Sequence, residues 1–302
     1  MINADLHNDT AYKLYYVGKS LKNGNMHINL KKQFFSKNLL FFAVYMNPEK
    51  FGINLKTEKK YFEDIYYYFK KEIEKNSDEI EFFKNKETFL NGEKHNAVLT
   101  LEGGDLIKEA SDVDYLKDFG VKAVNLTWNF SNRLASAHTA EVDSGLTDFG
   151  RDIIKLMEEK GILTDLSHSS DKTFFDVMKI SKKSVLVSHS NSRELCCNSR
   201  NITDEMFLAL IENGGLLGIN FYIEILGENT SIKDILKHIG HFLRLGGENN
   251  IAFGSDFDGM DLLPDGIKDF SSYESLCKLL KKEFSDSIAE KIMYKNILRI
   301  LK

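Results

Sequence analysis

Eight apolar runs of six to eight residues constrain this chain more than any other feature. They lie at 2–7, 39–46, 96–102, 121–127, 161–167, 184–189, 215–221 and 251–256, each rich in Val, Ile, Leu or Phe and without clean alternation of apolar and polar residues. Continuous runs of this length read as strands buried on both faces, the habit of parallel sheets covered by helices. Helical spacing appears between them at 57–76, 110–119, 147–160, 171–181, 203–213 and 231–247, with Thr147 and Thr203 placed as N-caps. Strands that alternate with helices run parallel, and eight parallel strands close a barrel. The expected fold is α/β, a (β/α)8 TIM barrel. Such a barrel uses about 250 residues as one unit. The chain has 302, with two prolines and no linker or composition break. One domain over 1–302 is expected, with 273–302 forming two closing helices.

A parallel barrel brings the C-terminal ends of all its strands to one face, so residues distant in sequence converge there. His7, Asp9, Glu102, His168 and His189 each stand at or just past the end of an apolar run. Strand alternation would send His7 and Asp9 to one side. Glu102 is followed by Gly103 and Gly104, which let the backbone turn sharply beside a site. A lone histidine at a strand end is more often a hydrogen-bonded loop residue than a ligand, and a lone glutamate more often faces solvent. Three His, one Asp and one Glu at four separate strand ends, in a chain with eight His, are a different matter. They mark the barrel as one of the metal-dependent hydrolase type. Mixed His and carboxylate ligands without thiolates suit a catalytic rather than a structural zinc.

Charge and cysteine content narrow the setting. The formal charge is −5, with 40 basic and 45 acidic residues interspersed, which argues against a nucleic-acid surface. Lys-rich stretches at 54–60 and 279–282 are mixed with Glu and apolar residues and read as solvated helix faces. The N-terminus shows no signal-peptide pattern, and the longest apolar run, 39–46, falls far short of the roughly 18 residues a membrane span needs. No membrane partner is expected. Cys196, Cys197 and Cys277 cannot all pair among themselves and show no CxxC spacing, so reduced thiols in a cytoplasmic protein are expected.

Several motifs in order carry a resemblance. These are His-Asn-Asp-Thr (7–10), Leu-Glu-Gly-Gly-Asp (101–105), Asn-Leu-Thr-Trp-Asn (125–129), Gly-Leu-Thr-Asp-Phe-Gly-Arg (145–151), Thr-Asp-Leu-Ser-His (164–168), Ser-His-Ser-Asn (188–191), Ser-Arg-Asn (199–201), Asn-Phe-Tyr (220–222) and Gly-Ser-Asp-Phe-Asp-Gly (254–259). Together, across nearly the whole chain, they resemble the membrane (renal-type) dipeptidase family, peptidase family M19 of the amidohydrolase superfamily.

The resemblance implies a dipeptidase with two zinc ions. His7, Asp9 and Glu102 would hold one, and His168 and His189 with the shared Glu102 the other. A metal-bridging hydroxide would attack the peptide bond, with Asp256, at the end of the eighth run, moving the proton from water to the leaving amine. Arg200 matches a family arginine that grasps the substrate carboxylate, a group its planar fork fits well. Tyr222 matches a position near the substrate. The chain departs from the renal enzymes at Trp128, where they carry a histidine thought to contact the substrate carbonyl. Trp128 and Asn129 stand as candidate substrate contacts, with Asn129 or His138 in line for the missing polar contact. Asp258 reads as loop structure, and His27, His95, His238 and His241 as packing, loop or surface residues. The resemblance also suggests a homodimer.

The function expected is therefore cytoplasmic hydrolysis of dipeptides by a binuclear zinc peptidase. Two rival readings remain. One is hydrolysis of N-acyl amino acids or lactams by the same site. The other is a family member that binds metal or peptide without catalysis. Other divalent metals also suit these ligands.

Overall fold

The apolar runs form the strands of one parallel sheet. The computed structural model describes residues 2–22, 25–32, 35–47 and 57–301, so residues 54–56 of the first Lys-rich stretch, Met1 and Lys302 lie outside the described residues. In chain order the strands are β1 (Ile2–Asn8), β2 (Lys37–Tyr45), β3 (Ile80–Phe82), β4 (His95–Glu102), β5 (Val121–Asn125), β6 (Leu163–Asp165), β7 (Leu186–Ser190), β8 (Leu216–Ile219) and β9 (Ile251–Phe253). Apart from β3, which pairs with the start of β4, they follow one another around the sheet in chain order. The first and last strands meet beyond β9. There Asp256 N–H donates to His7 O at 3.0 Å and Asp9 N–H donates to Phe257 O at 2.8 Å. The expected (β/α)8 barrel forms, and β3, three residues long, is the addition that the apolar pattern did not announce.

The six expected helices appear as Glu58–Lys75, Ser111–Asp118, Asp148–Lys160, Asp171–Ile180, Asp204–Asn213 and Ile232–Arg244. Thr147 Oγ1 accepts Gly150 N–H at 2.9 Å and Thr203 Oγ1 accepts Met206 N–H at 3.2 Å, so both N-caps act as their sequence positions suggest. The closing segment is helix Tyr273–Glu283 followed by Asp286–Glu290, a π turn at Lys291–Lys295 and Asn296–Ile300. Among the described residues no helix is long and apolar enough to cross a membrane.

Apolar residues divide between two layers. Ala4, Leu6, Leu39, Phe41, Val98, Ala123, Leu186, Leu216 and Ala252 form one cluster, with Leu163 packed against it. A single cluster touched by all eight barrel strands must lie inside the barrel. Ile297 and Leu298 of the last helix and Leu301 just past it join the cluster. The other cluster, with Leu40, Phe42, Leu99, Leu101, Val124 and Val187, packs against the helices.

Several strands stop sooner than the apolar runs. Three runs were expected to extend to 167, 221 and 256, yet β6, β8 and β9 end at Asp165, Ile219 and Phe253. Past each end the backbone turns to satisfy its N–H groups on side-chain oxygens. Ser167 N–H donates to Asp165 Oδ1, Tyr222 N–H to Asn220 Oδ1 and Ser255 N–H to Asp5 Oδ1. Asp256 therefore lies three residues beyond its strand rather than at its end.

Two bulges aim the first and seventh strands. Asp5 pairs opposite Leu40 but Asn8 opposite Phe42, so β1 carries one extra residue. Val187 pairs opposite Leu217 and Ser190 opposite Ile219, so β7 carries one as well. Without them, His7 would share the outward side of Asp5, whose Oδ2 accepts the Tyr273 hydroxyl in the helix layer at 2.8 Å. His189 would likewise point outward with Val187. Simple alternation, the reason the sequence offers for the direction of His7, is thus not what turns it inward. The bulge in β7 drives the Ser188 carbonyl against the neighbouring strands, where a Cβ at Gly218 or Gly254 would collide with it. Only glycine fits at those two positions.

Candidate metal centre

The bulges and turns converge six side chains at the C-terminal end of the strands. Glu102 lies at their middle. Its Oε1 is 3.0 Å from His168 Nε2 and 3.4 Å from His189 Nε2, and its Oε2 is 3.5 Å from His7 Nε2. His7 Nε2 is also 3.9 Å from Asp9 Oδ1 and 3.9 Å from Asp256 Oδ1. One ligand atom each from His7, Glu102 and His189 lie within 4.8 Å of one another, and so do atoms from His7, Asp9 and Asp256. All five residues singled out as ligands are brought together. Asp256, expected only as a proton carrier, stands close enough to act as a sixth.

Two of the three rings are oriented from behind. His168 Nδ1 lies 2.8 Å from Asn129 Oδ1 and His189 Nδ1 2.7 Å from Ser188 Oγ, which leaves both Nε2 atoms facing Glu102. His168 and Asp256 adopt left-handed backbone conformations, with φ of 68° and 62°. Such a conformation is costly for a residue with a Cβ and recurs at functional sites.

Burial and crowding set the charges. Burial pulls the His7 imidazole down, but the carboxylates of Glu102, Asp9 and Asp256 together outweigh it and raise His7 to about 10. Burial would lift Glu102, yet the His7 charge, with the rings of His168 and His189 close by, holds it well below the usual range. His168 is lowered to about 3 by burial and the Arg200 charge. Asp9 and Asp256 rise, Asp256 to about 6, chiefly through burial, with Glu102 adding to both. Carboxylates packed this closely repel one another, and positive charge among them relieves the repulsion.

Above the cluster opens a cavity of about 620 Å³ lined by the other residues the sequence pointed to. Arg200 is buried in its wall, with Nη1 donating to Ser190 Oγ at 2.7 Å. Burial lowers this guanidinium to about 10. Tyr222, Trp128, Asn129 and His138 all line the cavity. Trp128 packs edge-on against Tyr45, ring centroids 4.8 Å apart. Asp258 holds loops as expected, accepting Thr10 Oγ1–H at 2.5 Å and His27 N–H at 2.8 Å. His238 is wired into the packing, its Nδ1 accepting Ser192 N–H at 3.1 Å.

The sequence model of the membrane dipeptidase family, peptidase family M19, matches residues 1–302. The chain belongs to that family. An uncharacterised protein of the pqqA 5′ region in Klebsiella pneumoniae is 31% identical over 219 residues, 68% of this chain and 80% of that one. An uncharacterised dipeptidase of Schizosaccharomyces pombe is 33% identical over 193 residues, 61% of this chain but only 46% of its own length. A crystal structure of a Rhodobacter sphaeroides metallopeptidase, liganded with a phosphinate mimic of the dipeptide L-Ala-D-Ala, shares the fold with TM-score 0.88. It is 21% identical, and the match covers 99% of this chain and 98% of that one. The probable dipeptidase PvdM of Pseudomonas aeruginosa aligns with TM-score 0.85 at 17% identity, over 99% and 94% of the two chains.

M19 enzymes are metallopeptidases, and this cluster fits a divalent metal. His7 Nε2, Asp9 Oδ1 and Glu102 Oε2 are buried and make no hydrogen bond among the described residues. Buried polar atoms without partners are costly unless something else satisfies them. Asp9 Oδ1 and Glu102 Oε2 both face His7 Nε2, at 3.9 and 3.5 Å, and a cation is what oxygen and imidazole lone pairs accept together. Asp5, Asp165, Ser188 and Asn220 were missed as supporting residues. The repeated Asp-Leu at 5–6 and 165–166, each just before a candidate ligand histidine, was the available signal.

Proposed function

We propose that this M19 family member hydrolyses the peptide bond of dipeptides at a centre holding two zinc ions, within one domain over 1–302. The observation that carries the reading is the gathering of three unpartnered ligand atoms, those of Asp9 and Glu102 around that of His7, beside a cavity with a buried arginine. His7, Asp9 and Glu102 would hold one ion, and Glu102, His168 and His189 the other. Bound there, divalent ions acidify a coordinated water and polarise the scissile carbonyl.

The chain's own groups do the rest. Arg200, whose guanidinium lies in the cavity wall, clamps the terminal carboxylate of the substrate. Tyr222, Trp128 and Asn129 line the space for the remainder of the peptide. Asp256, held by Asn220 Nδ2–H at 3.1 Å from its Oδ2, takes the proton from the attacking water and delivers it to the leaving amine. A carboxylate clamp this near the cluster favours dipeptides over longer chains. A cytoplasmic setting belongs to the same reading and is supported by Cys196, Cys197 and Cys277, all free thiols.

The test is release of free amino acids from a panel of L,L- and L,D-dipeptides by zinc-reconstituted protein, with Asp256→Asn alongside. Turnover that collapses in the variant supports the reading. Inert dipeptides with hydrolysed N-acyl amino acids or lactams would transfer the site to the rival amide substrates. Peptide binding without turnover, with two metals per chain, would make this a binding protein.

A further inference from the structure

The carboxamide of Asn129 is fixed in one orientation by two histidines. Its Oδ1 lies 2.8 Å from His168 Nδ1 and 3.0 Å from His138 Nε2. His168 turns Nε2 towards Glu102 Oε1 at 3.0 Å and His189 Nε2 at 3.1 Å, so Nε2 is its ligand end. A neutral imidazole with its lone pair on Nε2 carries its proton on Nδ1, and that N–H requires an acceptor. Asn129 must therefore present oxygen, not nitrogen, to His168. His138 follows suit: its Nδ1 accepts Ser199 Oγ–H at 3.0 Å, and its Nε2–H donates to Asn129 Oδ1.

Two ring N–H groups use both lone pairs of that oxygen. A flipped amide would set an NH2 against two N–H donors, so the orientation is locked. Asn129 Nδ2 is left as the other end of the carboxamide. It makes no hydrogen bond among the described residues, and Asn129 lines the cavity. The bonded line from Ser199 through His138 and Asn129 to His168 starts beside Arg200 and ends on a ligand histidine.

We propose that Asn129 touches the substrate, donating Nδ2–H to the carbonyl oxygen of the reacting amide, and that His138 is the positioning residue that holds it there. The proposal rests on the dipeptidase reading. Asn129 suits the task because it is neutral, pre-oriented and exposed to the cavity one hydrogen bond from a candidate ligand ring, and a fixed neutral donor is what a developing carbonyl charge calls for. Arg200 is committed to a carboxylate, and the Trp128 ring, packed on Tyr45 and Phe130, lies 6.2 Å from that of His168.

The experiment measures kcat, KM and bound metal for Asn129→Leu, His138→Ala, His138→Gln and Trp128→Phe, together with absorption spectra of the cobalt-substituted proteins. Asn129→Leu is expected to lower kcat by about 100-fold or more with metal retained, and to shift the cobalt bands because His168 loses its acceptor. His138→Ala should lose about 10-fold in kcat with KM little changed, within the usual range for a positioning group, and His138→Gln should regain most of it through its own N–H donor. Asn129→Leu at wild-type kcat, a loss that merely tracks lost metal, or a larger loss in Trp128→Phe than in Asn129→Leu would overturn the proposal. If wild type turns over no dipeptide, the dipeptidase reading fails on its own. The cobalt spectra then decide the orientation, and bands unchanged in Asn129→Leu overturn it.

Discussion

Asp5 and Asp165 are equivalent in the barrel. Through Oδ1 each accepts the N–H two residues along its own chain, from His7 and Ser167, and an N–H from the neighbouring segment, from Ser255 and Ser188. Each carboxylate thus staples two strand ends together just below a candidate ligand histidine. Replacing Asp165 with Ala leaves two buried N–H groups unpaired, at a cost of about 1–3 kcal/mol each. Thermal unfolding should show a midpoint lower by several degrees and weaker metal retention, while Asp165→Asn, whose amide oxygen can accept both, should recover most of the loss.

Gly218 leaves room for the Ser188 carbonyl, and backbone cannot yield as a flexible side chain would. Gly218→Ala is expected to destabilise by at least the roughly 1–3 kcal/mol of a typical overpacked site, and to displace His189. Thermal unfolding and metal content per chain would both register it. A variant that folds and binds metal like wild type would contradict the account of the β7 bulge.

Asp256→Asn should leave the fold intact, because asparagine tolerates the left-handed conformation at this position. It cannot carry the proton. We expect kcat to fall by about 10²–10⁴-fold with metal content and KM largely kept, as measured by steady-state kinetics on a dipeptide and metal analysis.

Chelation should abolish turnover and also lower the unfolding midpoint, since a ligand that binds only the folded state stabilises it by mass action. At a free metal concentration about 1,000 times its Kd the gain is about 4 kcal/mol. Adding zinc back to the chelated protein should restore both activity and midpoint. Recovery of one without the other would separate the structural from the catalytic role of the cluster.

His238 supplies a pH dependence away from the cluster. Its Nδ1 accepts Ser192 N–H and its Nε2–H donates to Leu226 O at 2.9 Å, an arrangement only the neutral ring can make. Burial lowers its pKa below 6.5, with His241 and Lys237 acting in the same direction and the Leu226 carbonyl and Asp234 opposing. As pH falls below about 6.5, the unfolded chain takes up a proton that the folded chain refuses. Stability is therefore lost on the acid side and fully present above it. Denaturant unfolding from pH 8 to 5 should show a shallower decline in His238→Gln than in wild type; equal slopes would contradict this.

Much of the barrel was legible because burial on both faces writes parallel strands as continuous apolar runs. Six of the helices were legible too, two of them opened by the local caps Thr147 and Thr203, whereas Thr10–Val17 and Lys86–Asn91 were not. β3 was hidden because Ile80–Phe82 is too short to stand out, and the strand ends were misplaced because Asp165, Asn220 and Asp5 capture backbone N–H groups that the runs had assigned to the sheet. The five ligand candidates were readable as residue types at strand ends. That Asp256 stands within reach of His7 and Asp9 was not, because it depends on a turn beyond β9.

By itself the sequence determined the parallel architecture, the face on which the chemistry gathers and the residue types gathered there, all consequences of local pattern. Tertiary structure decided direction. One extra residue in β1 and another in β7 turn His7 and His189 inward, and the register that creates those bulges exists only when β1 lies beside β2 and β7 beside β8. The orientation of Asn129 likewise waits on His138 and His168, residues from separate loops that only the closed barrel brings within hydrogen-bonding distance of one oxygen.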